Sequence, residues 1–143
     1  MDKSLIASSS IQIKSTAEKI WEVMTNPDKI KVYLFGTNVK TDWKVGSPIV
    51  FEGEYQGQQY IDKGNVIQHI PNKLLQYNYW SGFSGLEDKP ENYADVSYKI
   101  EPISNDAFEL TWYQQGFSSE EGKLHTEEGL KSMLNQIKNL AEE

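Results

Sequence analysis

The chain has 143 residues, 38% of them apolar and 12% aromatic, with a formal charge of -7 and no cysteine. That length suits one domain with a real hydrophobic core, spanning residues 1–143. The charge argues against nucleic acid, because neutralising phosphates needs clustered Lys and Arg. The missing cysteine removes disulfides, thiolate catalysis and thiolate metal sites together. Met1–Ser10 has no basic segment followed by a continuous apolar run, so no signal peptide is expected. No apolar stretch approaches membrane-spanning length, which makes a cytoplasmic protein without membrane insertion the expectation.

Ser9–Lys14 alternates, with Ile11 and Ile13 on one face, and reads as a half-buried strand. Ser15-Thr16-Ala17-Glu18 has capping-box spacing, with Ser15 as the expected cap. Ala17, Ile20, Trp21 and Met24 continue it as a short amphipathic helix. Asn26-Pro27 breaks that helix and starts a second, whose buried side would be Ile30, Tyr33 and Leu34 and whose end is Gly36. From Asn38 the period becomes two. Val39–Trp43 is expected to be a strand, and Val45–Pro48 a turn. Ile49–Tyr55 places Ile49 and Phe51 on one face and Val50, Glu52 and Glu54 on the other. Gly57 marks a hairpin, and Tyr60–Ile70 is a long strand with a bulge expected at Gly64.

After Pro71-Asn72-Lys73, Leu75, Tyr77 and Tyr79 alternate with polar neighbours, and Gly82–Pro90 is loop by composition. Ala94, Val96, Tyr98 and Ile100 alternate with Asp95, Ser97 and Lys99; Phe108, Leu110 and Trp112 do the same in the next strand. Ser118 or Ser119 would cap the final helix. From Leu124 to Glu142, Leu124, Leu130, Met133, Leu134, Ile137, Leu140 and Ala141 recur three or four residues apart, one apolar stripe on one face. Short turns between successive strands imply antiparallel pairing. The order is strand, two short helices, about six antiparallel strands and one long helix, an α+β arrangement in which the helix buries its stripe on the sheet.

This order resembles the helix-grip fold of START-like domains, a curved antiparallel sheet of six to seven strands wrapped around a long C-terminal helix. Within that superfamily the chain is similar to the activator of heat-shock-protein ATPase group. Five segments carry the likeness: Ser15–Trp21 with Asn26–Lys29, Asp42–Gly46, Asp62–Val66 through Pro71 and Leu74, Lys89–Tyr93, and Gly129-Leu130 followed by Met133, Leu134, Ile137 and Leu140. Many relatives carry Trp where this chain has Leu130. The resemblance implies a space between sheet and helix where START-like relatives hold apolar ligands.

The strand faces read as inward would line such a space with Phe51, Tyr77, Tyr79, Tyr98 and Trp112, and with Gln114 as a polar member. Apolar walls with a few hydrogen-bonding groups describe a small-molecule pocket, but the same rings equally describe an ordinary filled core. Met133 and Gly129 of the helix complete the candidate ligand-binding set. A helical glycine costs about 1 kcal/mol relative to Ala, so either a bulky group approaches the backbone at Gly129 or the helix begins only near Glu127. Phe83 and Leu86, in the loop Ser81–Asn92, read as a lid or as residues tucked back onto the domain.

Nothing calls for a cofactor or a metal. His69 and His125 are the two histidines and no motif joins them; His125 lies among Glu120, Glu121, Glu127 and Glu128 and reads as a solvated helix face. The leading expectation is binding of a small hydrophobic or aromatic molecule. The resemblance also implies two alternatives. One is a chaperone partner, although no additional N-terminal domain of the eukaryotic activators is seen. The other is a polyketide cyclase or dehydratase type of enzyme, with Tyr77, Tyr79, Tyr98 and Gln114 orienting a substrate.

Overall fold

A computed structural model describes residues 1–143. The strands are β1 (Asp2–Ile13), β2 (Asn38–Lys40), β3 (Pro48–Tyr55), β4 (Gln58–Ile70), β5 (Leu74–Ser81), β6 (Ala94–Ser104) and β7 (Ala107–Phe117). They form one antiparallel sheet in the order β1-β7-β6-β5-β4-β3-β2. Between β1 and β2 come helices α1 (Ala17–Thr25) and α2 (Pro27–Tyr33), and the chain ends in α3 (Glu120–Glu142). This is the element order that the hydrophobic periods imply and the helix-grip arrangement that the family resemblance implies. No helix is long and apolar enough to cross a membrane.

Local chemistry sets the element ends, sometimes one residue away from the expected place. Thr16, not Ser15, caps α1, its hydroxyl accepting from the Lys19 amide at 3.1 Å. Both residues are good caps, and only Thr16 leaves Ala17 as the first helical position. Asn26 closes α1 and caps α2 with its own side chain, with Pro27 at the first position of α2. Ser119 caps α3 by accepting from the Gly122 amide at 3.1 Å. β1 starts seven residues before the expected Ser9, since the run Leu5-Ile6-Ala7 hides the alternation, and its pairing with β7 shifts between Asp2 and Ile6. β2 is shorter than Val39–Trp43, because Trp43 takes a left-handed φ of 64° that extended backbone cannot contain.

The β4 irregularity also differs from expectation. Pairing with β3 runs unbroken through Gly64, and the shift against β5 lies between Val66 and Gln68. Gly64 serves another purpose: a Cβ there would stand 1.7 Å from the Asn78 carbonyl oxygen. Only glycine lets β5 come this close.

The core is densest where α3 ends. Leu130, Met133, Leu134, Ile137 and Ala141 are buried, with Ile137 fully enclosed, and this half of α3 packs on β1 with α1 and α2 on its flank. Ile20, Met24, Ile30, Ile49, Leu75 and Leu110 meet it from the other elements. Each such aliphatic side chain contributes about 1.5–3 kcal/mol on burial. Tyr33 is buried too, its hydroxyl donating to the Met24 carbonyl at 2.8 Å and so tying α2 to α1. Leu124, expected on the apolar stripe, is 51% exposed, because the first turns of α3 stand away from this packing.

Candidate functional site

Where the dense packing stops, the sheet and the N-terminal half of α3 diverge around a cleft of about 710 Å³. Gly122, Thr126 and Met133 face it from α3, and residues of β3 to β7 from the sheet. Of the residues singled out in the sequence, Phe51, Tyr77, Tyr79, Tyr98, Trp112, Gln114 and Met133 border it. They are brought together because each occupies the same face of its strand: Tyr77 pairs with Val96, and Tyr98 with Trp112. Phe51, Tyr77, Tyr98, Trp112 and Met133 also belong to the continuous core. The two sequence readings of these rings, as lining and as core, therefore describe opposite sides of the same residues.

The rings pack on one another. Phe51 lies 5.4 Å from Tyr77 and 5.7 Å from Tyr79 between ring centres, and Tyr77 lies 6.3 Å from Tyr98. Tilted and edge-to-face pairs at these separations hold their partners in fixed orientations. Burial pushes the phenols of Tyr33, Tyr77 and Tyr98 above the usual tyrosine range, so all three are neutral donors at physiological pH. Gln114 is half-buried and turns its amide onto the Gly116 carbonyl at 3.0 Å. Gly116 itself has a φ of 103°, a conformation that a side chain at this point of the wall would strain.

One end of the cleft is polar. Asp62, on β4, is 7% exposed, and its Oδ2 accepts the Tyr79 hydroxyl. Its Oδ1 is buried without a partner. Burial raises the carboxyl above its ordinary range, with the Tyr79 hydroxyl, the Ser81 hydroxyl and the Gly82 amide pulling the other way. Nearby, the Thr37 and Tyr60 hydroxyls bond each other at 2.5 Å, and Thr37 also donates to the Leu34 carbonyl at 2.8 Å. No Lys or Arg borders the cleft.

Aromatic residues also stand at the mouth: Phe35, Tyr55 and Phe83 are 62%, 51% and 52% exposed. Phe35 sits just past α2 with a φ of 53°, in the position where a helix end favours glycine; the Gly36 amide reaches back to the Lys31 carbonyl at 2.7 Å across it. An exposed phenylalanine in this left-handed conformation is held there at a cost of about 1–2 kcal/mol. Phe83 leans on Tyr60 at 6.0 Å, whereas Leu86 tucks back, its carbonyl accepting from the Trp80 indole at 3.2 Å.

Gly129 departs from expectation. It lies well inside α3, which begins at Glu120, is exposed and does not border the cleft; a Cβ there would meet nothing within 4 Å. Neither a close approach nor a late helix start explains it, because the helix is nine residues old here and Gly129 lies on its exposed side, beside the buried Leu130. His125 is exposed beside the mouth, while His69 meets Trp21 edge-to-face at 5.1 Å and stacks on Trp43 at 6.2 Å. No group of three or more His, Asp or Glu is placed to hold a metal ion.

Sequence reasoning passed over Asp62, Tyr60 and Thr37. The signal for Asp62 was available: Tyr60, Asp62, Gly64 and Val66 share one strand face, and an acid between an aromatic residue and a valine on an inward face must be buried. Thr37 follows a helix end and Phe35 is an exposed rim residue, and no period marks either.

Comparison with known proteins agrees with this fold. A family model described as Activator of Hsp90 ATPase homolog 1-like protein matches residues 14–142. The chain belongs to that family. Within the fold, it is similar to the solution structure of ChR145 from Cytophaga hutchinsonii, with 37% identity, a TM-score of 0.79, and 97% of this chain and 94% of the other covered. The Aha1 dimer from Colwellia psychrerythraea matches at 19% identity and a TM-score of 0.73, covering 96% of each chain. CalU16 from Micromonospora echinospora matches at 16% and 0.70, covering 95% of this chain and 75% of that one. At such low identity, the last two show the shared fold alone. No curated protein matches the chain in sequence.

Proposed function

We propose that the cleft between the sheet and the N-terminal half of α3 binds a small, largely apolar molecule, and that the chain acts as a ligand-binding member of its family. The observation carrying this reading is the composition of the cleft. About 710 Å³ of space is bordered by a wall of mutually packed rings, with one polar corner. Ligand sites have this size and this mixture of a broad apolar surface with a few convergent polar groups. Rings already ordered against one another lose little freedom when a ligand arrives, so the site is organised in advance. The exposed Phe35 and Phe83 extend the apolar surface to the entrance.

The test uses N-phenyl-1-naphthylamine, a neutral dye that brightens in apolar surroundings. The protein should enhance its emission saturably, with a stoichiometry of about one. Thr126 faces the cleft from α3 and is half-buried, so Thr126→Trp should fill the space with little loss of folding stability. The expected result is a melting temperature within about 3 °C of the parent and dye affinity lower by about tenfold. Saturable binding unaffected by Thr126→Trp would place the dye elsewhere and remove the support for this reading.

A further inference from the structure

Resting on that reading, we infer that Asp62 anchors the ligand and that the cleft selects apolar-bodied molecules carrying an O–H or N–H donor, against carboxylates and other anions. Three observations converge. First, Asp62 Oδ1 is a buried acceptor with no partner inside the protein, on a residue 7% exposed that borders the cleft. A buried carboxylate oxygen left unpaired destabilises the fold, and a ligand donor is what would satisfy it.

Second, the neighbouring groups leave that oxygen to the ligand. Tyr79 has its hydroxyl proton on Oδ2, and Thr37 and Tyr60 are engaged with each other at 2.5 Å. The Ser81 hydroxyl and the Gly82 amide lie near enough to favour the ionised carboxyl, but neither makes a hydrogen bond to Oδ1. The acceptor lone pairs of Oδ1 therefore remain for a group that enters the cleft. Third, the charged side chains at the cleft are acidic, and the one cation beside them is the amino group of Met1, which also borders it. Asp62 and Glu54 border it, the amino terminus at Met1 is held toward Asn92 Oδ1 at 3.4 Å, and no Lys or Arg takes part. An anionic head group would meet the Asp62 carboxylate without a side-chain cation to neutralise it, whereas a hydroxyl or an ammonium would be welcomed.

The rest of the wall assigns the remainder of the molecule. Tyr79 stacks edge-on to Phe51, and Phe51 on Tyr77, so a donor placed at Asp62 carries its attached body straight onto these rings. A planar aromatic group directly beside the donor fits best: a phenol or an arylmethylamine rather than a fatty acid.

Four compounds with one body test this: naphthalene, 2-naphthol, 2-naphthylmethylamine and 2-naphthoate, each competing with N-phenyl-1-naphthylamine. The naphthol or the amine should bind about tenfold or more tighter than naphthalene, as a hydrogen bond to a charged group supplies, and naphthoate should bind weakest. Asp62→Leu should erase the donor advantage and leave naphthalene affinity within about twofold. Asp62→Asn, nearly the same shape, keeps a neutral acceptor and should chiefly relieve the penalty on naphthoate; it also serves if the leucine variant fails to fold. Retention of the parent's ranking and ratios in both variants, or tightest binding by naphthoate, overturns the anchor while the cleft remains a binding site. Failure of the dye and of all four compounds to bind overturns the cleft reading along with it.

Discussion

The two halves of α3 are parts of one helix under opposite conditions. From Leu130 to Ala141 its apolar side chains are enclosed by β1, α1 and α2; from Glu120 to Gly129 it arches over a cleft, with Leu124 exposed and glycine at 122 and 129. The first half secures the fold, and the second leaves room. A chain that maximised stability would have closed the helix onto the sheet along its full length. The departures from stable design gather at the open end: the unpaired Asp62 oxygen, the left-handed Phe35 and the unexplained Gly129. Such a division is expected when a rigid scaffold supports a site.

The largest effect should come from the closed half. Ile137 is fully enclosed, so Ile137→Ala should cost about 2–5 kcal/mol, well above the loss from Thr126→Ala in the open half, which deletes only half-buried atoms. Urea unfolding of both variants measures the contrast. Equal losses would mean that the two halves carry the same load and that the division drawn here is wrong.

Asp62 gives the next effect, and of opposite sign. Its carboxyl ionises less readily in the folded chain than in the unfolded one because it is buried. Below the unfolded pKa both states are protonated and no penalty exists. As pH rises through the window between the unfolded and the folded values, the folded state retains a proton that the unfolded state has released, so stability falls and stays lower above it. Asp62→Asn should therefore stabilise the unliganded protein at neutral pH by on the order of 1 kcal/mol, or about 3 °C. The advantage should shrink as pH drops into the ordinary carboxylate range. A difference in melting temperature that stays flat from neutral to acid pH would show that the buried charge is not its source.

Phe35→Gly follows. Glycine adopts the φ of 53° without strain, so the variant should gain about 1 kcal/mol at the end of α2 while losing an aromatic surface at the mouth of the cleft. Thermal melting reports the gain, and weaker dye binding the loss. A stabilised variant with unchanged dye affinity would take Phe35 out of the entrance.

The closed half was far more legible in the sequence than the open one. Period alone identifies Ile49, Leu75, Leu110, Leu134 and Ile137 as inward, since an apolar residue repeating at the step of its element has one reason to be there. The same period aligns Phe51, Tyr77, Tyr98 and Trp112, but it cannot say whether a ring touches another ring or a space. That depends on how far α3 stands from the sheet, a quantity held in no single residue. Asp62 stays hidden because the apolar members of a face carry its period, and an acid among them interrupts it. The left-handed Phe35 and Trp43 carry no local signal, since such positions favour glycine or asparagine; the hydrogen bond closing the end of α2 holds Phe35 there, and Trp43 packs on the core. Gly64 was noticed for a sound reason, yet the feature behind it was the Asn78 backbone and not a bulge.

Gly129 supplies the smallest expected effect. In the middle of a helix, with open space around the position a Cβ would take, Gly129→Ala should stabilise the protein by about 0.5–1 kcal/mol through backbone entropy alone. Because nothing packs against that position, the same change should leave dye and naphthol affinity within about twofold if α3 is a fixed roof over the cleft. If instead the helix bends at Gly129 to admit a ligand, alanine would stiffen it, and the dye would associate more slowly although the melting temperature rose. Stopped-flow mixing with N-phenyl-1-naphthylamine separates the two outcomes, since a fixed roof predicts matching association rates for parent and variant.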